Sequence, residues 1–147
     1  MAGLKLATAL TLIAMPVFAE EHASGDAEAG ANAFNRQCGS CHVVTNADGD
    51  VLAGRNGRVG PNLFAITGGL VAGMDGFRYG EAIIAAREAG AVWDEENFVA
   101  YVQDPTAWLR DVLDDPRARS KMSFRVRSEE DASNLYAFLA TFSAEAQ

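Results

Sequence analysis

Two thiols three positions apart, with an imidazole directly after the second, stand at Cys38, Cys41 and His42 in the run Cys-Gly-Ser-Cys-His. This is the spacing at which a polypeptide attaches a c-type haem. Residues i and i+3 of a helical turn present neighbouring faces, so Cys38 and Cys41 reach the two vinyl groups of one porphyrin while His42 comes under the iron. The thiols become thioethers and the imidazole becomes the proximal axial ligand.

Other chemistry suits these residues less well. A disulfide between residues three apart is strained, and a redox Cys-x-x-Cys belongs beside a βαβ pattern that the sequence does not contain. Structural zinc takes four ligands, whereas the chain offers two Cys and two His, one of them His22 beside a processing site. With Cys38, Cys41 and His42 committed to haem, only His22 is left for nucleophilic or acid-base work. That argues for a one-electron carrier and against an enzyme with a small-molecule substrate.

The sixth iron ligand is approached by elimination. Met1 and Met15 fall in an export leader, so the candidates are Met74, Met122 and His22, or an open position. Met74 lies 32 residues past His42 in a glycine-rich stretch, and Met122 lies 80 residues past it, before the last helix. If the first and last helices pack together around the haem, the chain entering the last helix crosses opposite His42, which favours Met122.

These residues need elements to hold them, and 147 residues suffice for one domain with a haem as part of its core. Residues 1–19 read as a leader: Lys5, an apolar run from Leu6 to Pro16, and Val17-Phe18-Ala19 before Glu20. Cleavage is expected after Ala19, leaving residues 20–147 as the mature domain, with its ordered part at about 25–143. The run is too short to span a bilayer, which needs about 20 apolar residues. A retained anchor is the alternative.

After Asp26, an N-cap, Gly30, Phe34 and Cys38 recur at i, i+4 and i+8, predicting a helix with that face buried. Residues 43–76 are rich in Gly, Asn and Asp and read as long loops, of the kind that cover something. Within them Pro61 has the fixed backbone to hold its carbonyl against the His42 ring N–H. Further helices are predicted over Glu81 to Glu88, after Asp94, from Pro105, and after Ser128, the last with Leu135, Phe138, Leu139 and Phe142 on one face. No strand of convincing length is expected.

The net charge of −8 makes nucleic acid an unsuitable partner, and loss of the leader makes it one unit more negative. Against that background Arg117, Arg119, Lys121, Arg125 and Arg127 crowd into eleven residues around Met122. Such a cationic rim steers a carrier toward acidic docking faces, at rates that fall as salt rises. The competing reading is a solvated loop neutralised by Asp114, Asp115 and Glu129 to Asp131.

In order along the chain stand Gly30, Phe34, the Cys38 to His42 run, Gly60-Pro61-Asn62-Leu63, Gly76-Phe77-Arg78-Tyr79, Trp93, Tyr101, Ser120-Lys121-Met122 with Phe124, and Leu135-Tyr136-Ala137-Phe138-Leu139. This ordered set resembles the class I c-type cytochromes, and most closely the bacterial cytochrome c2 type, over roughly residues 25 to 143. The resemblance implies an all-α, single-domain cytochrome c fold, with N- and C-terminal helices crossing and long loops wrapped around one covalently bound haem c. It implies Cys38 and Cys41 as thioether residues, His42 and Met122 as axial ligands, and the Pro61 carbonyl as acceptor for His42. Tyr79 and Trp93 would be donors to a buried haem propionate, and Tyr101 and Ser120 the polar residues near the Met sulfur. Where the family often has an arginine near the propionates this chain has Gly69, and where it often has an asparagine beside a buried water it has Ile83.

The function so implied is that of a periplasmic monohaem carrier, expected as a monomer. It would take electrons from the cytochrome bc1 complex and pass them to a photosynthetic reaction centre or a terminal cytochrome oxidase. The alternative from another class is a haem c enzyme or sensor, peroxidase-like, with an open sixth iron site.

Overall fold

The computed structural model describes residues 23–144. The leader at 1–19, the junction after Ala19, and His22 lie outside the described residues.

Among the described residues, five helices surround a central cavity: α1 (Ala27–Gln37), α2 (Glu81–Glu88), α3 (Glu95–Gln103), α4 (Pro105–Leu113) and α5 (Glu129–Ala144). Local chemistry sets most of their ends. Asp26 caps α1 by accepting from the Ala29 N–H at 2.9 Å, and Asp94 caps α3 through the Asn97 N–H at 2.8 Å. Asp104 closes α3 and caps α4, whose first residue is Pro105, a position where a missing N–H costs nothing. Ser128 Oγ accepts from the Asp131 N–H at 3.1 Å, one arm of a capping box. Past α2, Gly90 turns the chain at φ +86°.

The crossing of α1 and α5 is the structural frame. A Cβ at Gly30 would overlap the carbonyl oxygen of Asn134 and stand 2.7 Å from the Phe138 Cβ, so only glycine lets the two backbones meet here. Beside this contact Phe34 packs on Phe138 at 5.5 Å between ring centroids. Buried Asn134 ties the pair from the other side, accepting from the Asp26 N–H at 2.7 Å. Phe34, Leu109, Leu135 and Leu139 are fully buried, and each contributes about 2 kcal/mol of hydrophobic stabilisation. On α4, Leu113 packs against the core. Trp108 and Leu109 face inward, whereas Val112 is exposed on the outer side.

The stretch read as loop contains a small hairpin. Strand β1 (Val43–Thr45) pairs antiparallel with β2 (Val51–Gly54), with a bulge after Val44. The turn between them is built on Asn46, whose Oδ1 accepts from the N–H groups of Asp48 (3.1 Å) and Asp50 (2.8 Å), with Gly49 at φ +90°. Strands of three and four residues are too short to show alternation, which is why periodicity missed them. Asn62 joins the next segment to β1. Its side chain accepts from the Thr45 N–H at 2.9 Å and donates to the Thr45 carbonyl at 2.7 Å.

Candidate functional site

α1 ends at Cys38, whose N–H bonds to the Phe34 carbonyl at 2.8 Å, and one further turn carries the chain to His42, whose N–H reaches the Cys38 carbonyl at 2.9 Å. Cys38, Cys41 and His42 therefore share one compact turn. Burial, with the neighbouring Cys41 thiol adding to it, pushes the Cys38 thiol up to about 12. A redox dithiol needs its thiolate stabilised, and Cys38 sits at the carbonyl end of a helix, where a thiolate is disfavoured.

The His42 ring is fixed by the segment that follows the hairpin. Its Nδ1 lies 2.9 Å from the Pro61 carbonyl oxygen. A carbonyl can only accept, so Nδ1 carries the proton and Nε2 presents its lone pair. Burial lowers the pKa of His42, with the Pro61 bond acting against it, which keeps the ring neutral as a metal ligand requires. Gly60 lies against the face of the ring, and the Gly60 N–H holds the Cys41 carbonyl at 2.9 Å.

These residues open onto a cavity of about 910 Å³. Pro61, Tyr79, Trp93, Tyr101, Ser120 and Met122 line it too, so every expected haem ligand and haem-environment residue reaches the same space. Gly69, Ile83 and Met74 also line it. Trp93 stacks on Trp108 at 5.6 Å and meets Tyr101 edge-on at 5.0 Å, while Trp108 Nε1 is anchored on Asn97 Oδ1 at 3.1 Å. The Tyr101 and Ser120 hydroxyls pair at 3.2 Å. Ser120 Oγ also accepts from the Met122 N–H at 3.0 Å, and the Ser120 N–H donates to Thr106 Oγ1 at 3.2 Å. The Met122 segment is thereby tied to both α3 and α4. Tyr79 is placed differently, its hydroxyl accepting from the Met74 N–H at 3.2 Å.

In a chain of net charge −8, the charged side chains lining the cavity are Arg36, Arg78, Arg87, Arg119 and Lys121, and among the described residues no Asp or Glu joins them. Of the five cations that crowd around Met122 in sequence, only Arg119 and Lys121 reach this cavity. Arg117 pairs with Asp115 at 3.5 Å and Arg125 with Asp104 at 3.1 Å. Arg125 and Arg127 wall a separate hollow with Phe124. Arg36, Arg78 and Arg87 come from α1, a loop and α2. They form no linear cluster, so no sequence signal marks them.

The site fits a haem by volume, by its apolar and aromatic walls, by a donor set of two thiols, an oriented imidazole and a thioether, and by a cationic border suited to a dicarboxylate. Cys38, Cys41 and His42 would hold the group from one turn.

No protein-family model matches the chain. It is 51% identical over 118 residues to cytochrome c2 of Rhodovulum adriaticum, covering 80% of this chain and 93% of that protein. It is 44% identical over 135 residues to cytochrome c2 of Cereibacter sphaeroides, covering 91% and 90%. The solved structure of cytochrome c2 from Rhodobacter sphaeroides superposes with a TM-score of 0.79 at 44% identity, over 82% of this chain and 98% of that one. With that identity, that fold and the Cys38 to His42 turn aligned on a haem-sized cavity, the chain belongs to the cytochrome c2 group of class I c-type cytochromes, electron carriers with one covalent haem c.

Proposed function

We propose that this cytochrome is exported to the periplasm, loses residues 1–19 after Ala19, and works there as a monomer. It takes electrons from the cytochrome bc1 complex and hands them to a photosynthetic reaction centre or a terminal oxidase. Among the described residues, no helix is long and apolar enough to cross a membrane. The observation that carries the partner reading is that, among the described residues, the charged side chains lining the haem cavity of this acidic protein are Arg and Lys, with no Asp or Glu. Local positive charge at the site of electron exit draws acidic docking faces and leaves the rest of the surface repulsive.

Haem, when bound, supplies reversible one-electron exchange. The chain's part is to hold and enclose it. Cys38 and Cys41 would hold it as thioethers, and His42, whose Nδ1–H donates to the Pro61 carbonyl, would offer Nε2 as a ligand. Met122, which packs against the buried core and whose N–H donates to Ser120 Oγ, would supply the second ligand. Met74 belongs instead to the loop held by Tyr79. A thioether ligand would raise the potential of the group and close it to substrates. Tyr79 and Trp93 would donate to a propionate, and Tyr101 and Ser120 keep the Met122 side of the cavity polar and ordered.

Redox-difference spectra of the purified protein test this reading. Met122→Ala is expected to abolish the weak sulfur-to-iron charge-transfer band of the ferric form, and Met74→Ala to leave it. The reverse result would move the axial ligand to Met74. The mass of the mature N-terminus tests cleavage after Ala19.

A further inference from the structure

Of the chain's seven asparagines, only Asn56 is followed by glycine. Glycine has no side chain to shield its backbone nitrogen or to restrict the dihedrals around it, so that nitrogen can reach the preceding side chain. Asn56 is exposed, stands in the left-handed region at φ +60°, and lies between exposed Arg55 and Arg58. Among the described residues, neither its side-chain amide nor the Gly57 N–H makes a hydrogen bond. Asn46 differs on each count. It is followed by Ala47, and its side chain is engaged by the Asp48 and Asp50 N–H groups and by the Asp50 carboxylate.

The segment that carries Asn56 is clamped at both ends to the turn from Cys38 to His42. The Arg55 N–H donates to the Gly39 carbonyl at 3.1 Å, and the Gly60 N–H to the Cys41 carbonyl at 2.9 Å. Between these bonds Gly57 lies against the peptide that joins Cys41 to His42: an added Cβ would stand 2.6 Å from the Cys41 carbonyl carbon and 2.9 Å from the His42 nitrogen. Extra chain has no room here. A longer backbone between residues 55 and 60 must drive Gly57 into that peptide or open one of the two bonds.

We propose that Asn56 is a site of spontaneous deamidation, and that its isoaspartyl product loosens the clamp on the haem-attachment turn. The Gly57 nitrogen, losing its proton to solvent base, attacks the Asn56 Cγ; a C–N bond forms, ammonia leaves and a succinimide ring closes. Water then opens the ring. Opening at the backbone carbonyl routes the chain through Cβ and Cγ, which adds one methylene to the backbone and leaves a carboxylate on Cα. Opening at Cγ restores the original backbone and leaves an ordinary aspartate. Either way a neutral amide becomes a carboxylate, and the flanking Arg55 and Arg58 favour both that charge and the anionic nitrogen before it.

The test uses the holoprotein, incubated warm in mildly alkaline and in mildly acidic buffer and then mapped by peptide mass, with isoaspartyl methyltransferase as the probe. Isoaspartate is expected at residue 56, faster in the alkaline buffer, and not at Asn46. Asn56→Gln, whose larger ring closes far more slowly, should show none. Amide hydrogen exchange of the separated isoaspartyl form reads the clamp. Exchange at Gly60 should be about tenfold faster than in the fresh native protein, the loss of one backbone hydrogen bond. Freshly prepared Asn56→Asp carries the charge without the added methylene and should exchange like the native protein. Asn56 recovered intact after alkaline incubation would overturn the proposal, as would an isoaspartyl form with native exchange at Arg55 and Gly60. Equally fast exchange in Asn56→Asp would assign the loosening to charge and overturn the role of the lengthened chain.

Discussion

Gly60 lies flat against the imidazole of His42: a Cβ added at Gly60 would come within 2.5 Å of Nδ1 and 2.6 Å of Nε2. The next residue, Pro61, accepts the hydrogen bond from Nδ1–H through its carbonyl, so two adjacent backbone positions set both the plane and the tautomer of the ring. Gly60→Ala is expected to push the ring away from Pro61 and weaken that bond. A proximal imidazole that loses its acceptor is a poorer electron donor, so the midpoint potential should rise. Stability should fall by about 2 kcal/mol, typical of forced overpacking. Redox titration and denaturant unfolding of the same variant check both.

Gly30 has the same logic at the helix crossing, but the obstacle is backbone. A methyl there meets the Asn134 carbonyl and the Phe138 Cβ, neither of which can swing aside. Gly30→Ala should separate α1 from α5 and cost about 3 kcal/mol or more, in spite of alanine's better helix propensity. Guanidinium unfolding followed by helical circular dichroism measures it. A loss below about 0.5 kcal/mol would mean the helices slide freely past each other.

Burial raises the pKa of Tyr101; its Ser120 bond works against this, and the neighbouring Tyr79 adds to it. The neutral phenol is therefore favoured in the folded state. Its contribution to stability is complete below the unfolded tyrosine value of about 10 and is lost as pH rises through the higher folded value. Tyr101→Phe removes the group. Its unfolding free energy should consequently fall less steeply with pH above about 10 than that of the native protein.

Carbon monoxide separates a closed from an open sixth position. The reduced native protein should bind it slowly at neutral pH, because Met122 must first leave, and Met122→Ala should bind it at least tenfold faster. Flow mixing with optical detection reads both rates. Fast binding by the native protein would favour the peroxidase-like alternative.

Charge at the cavity border should govern encounter with acidic redox partners. Arg78→Glu and Arg119→Glu are expected to slow second-order reduction of an acidic acceptor at low salt, with the differences shrinking as ionic strength approaches about 0.5 M. Arg117→Glu should do less, since Arg117 lies outside the cavity and is paired with Asp115.

What the sequence by itself determined is what is encoded within a turn or two of chain. Cys38, Cys41 and His42 announce covalent haem because the chemistry depends on their spacing alone. The ends of α1, α3, α4 and α5 follow from Asp26, Asp94, Asp104 with Pro105, and Ser128, each acting on neighbours three residues away or fewer. Gly30 and Phe34 could be read as a packing face for the same reason. Tertiary structure decided the rest. The hairpin at 43–54 is held by a turn and by Asn62 rather than by a strand pattern of its own. The five cations of the cavity come from α1, α2 and two separate loops, and the apparent cluster at 117–127 is divided among ion pairs, a second hollow and the cavity itself. Lys121 reaches carbonyls more than forty residues away. A charge's role depends on its nearest neighbours in space, and for a loop residue those are chosen by the fold, not by the chain beside it.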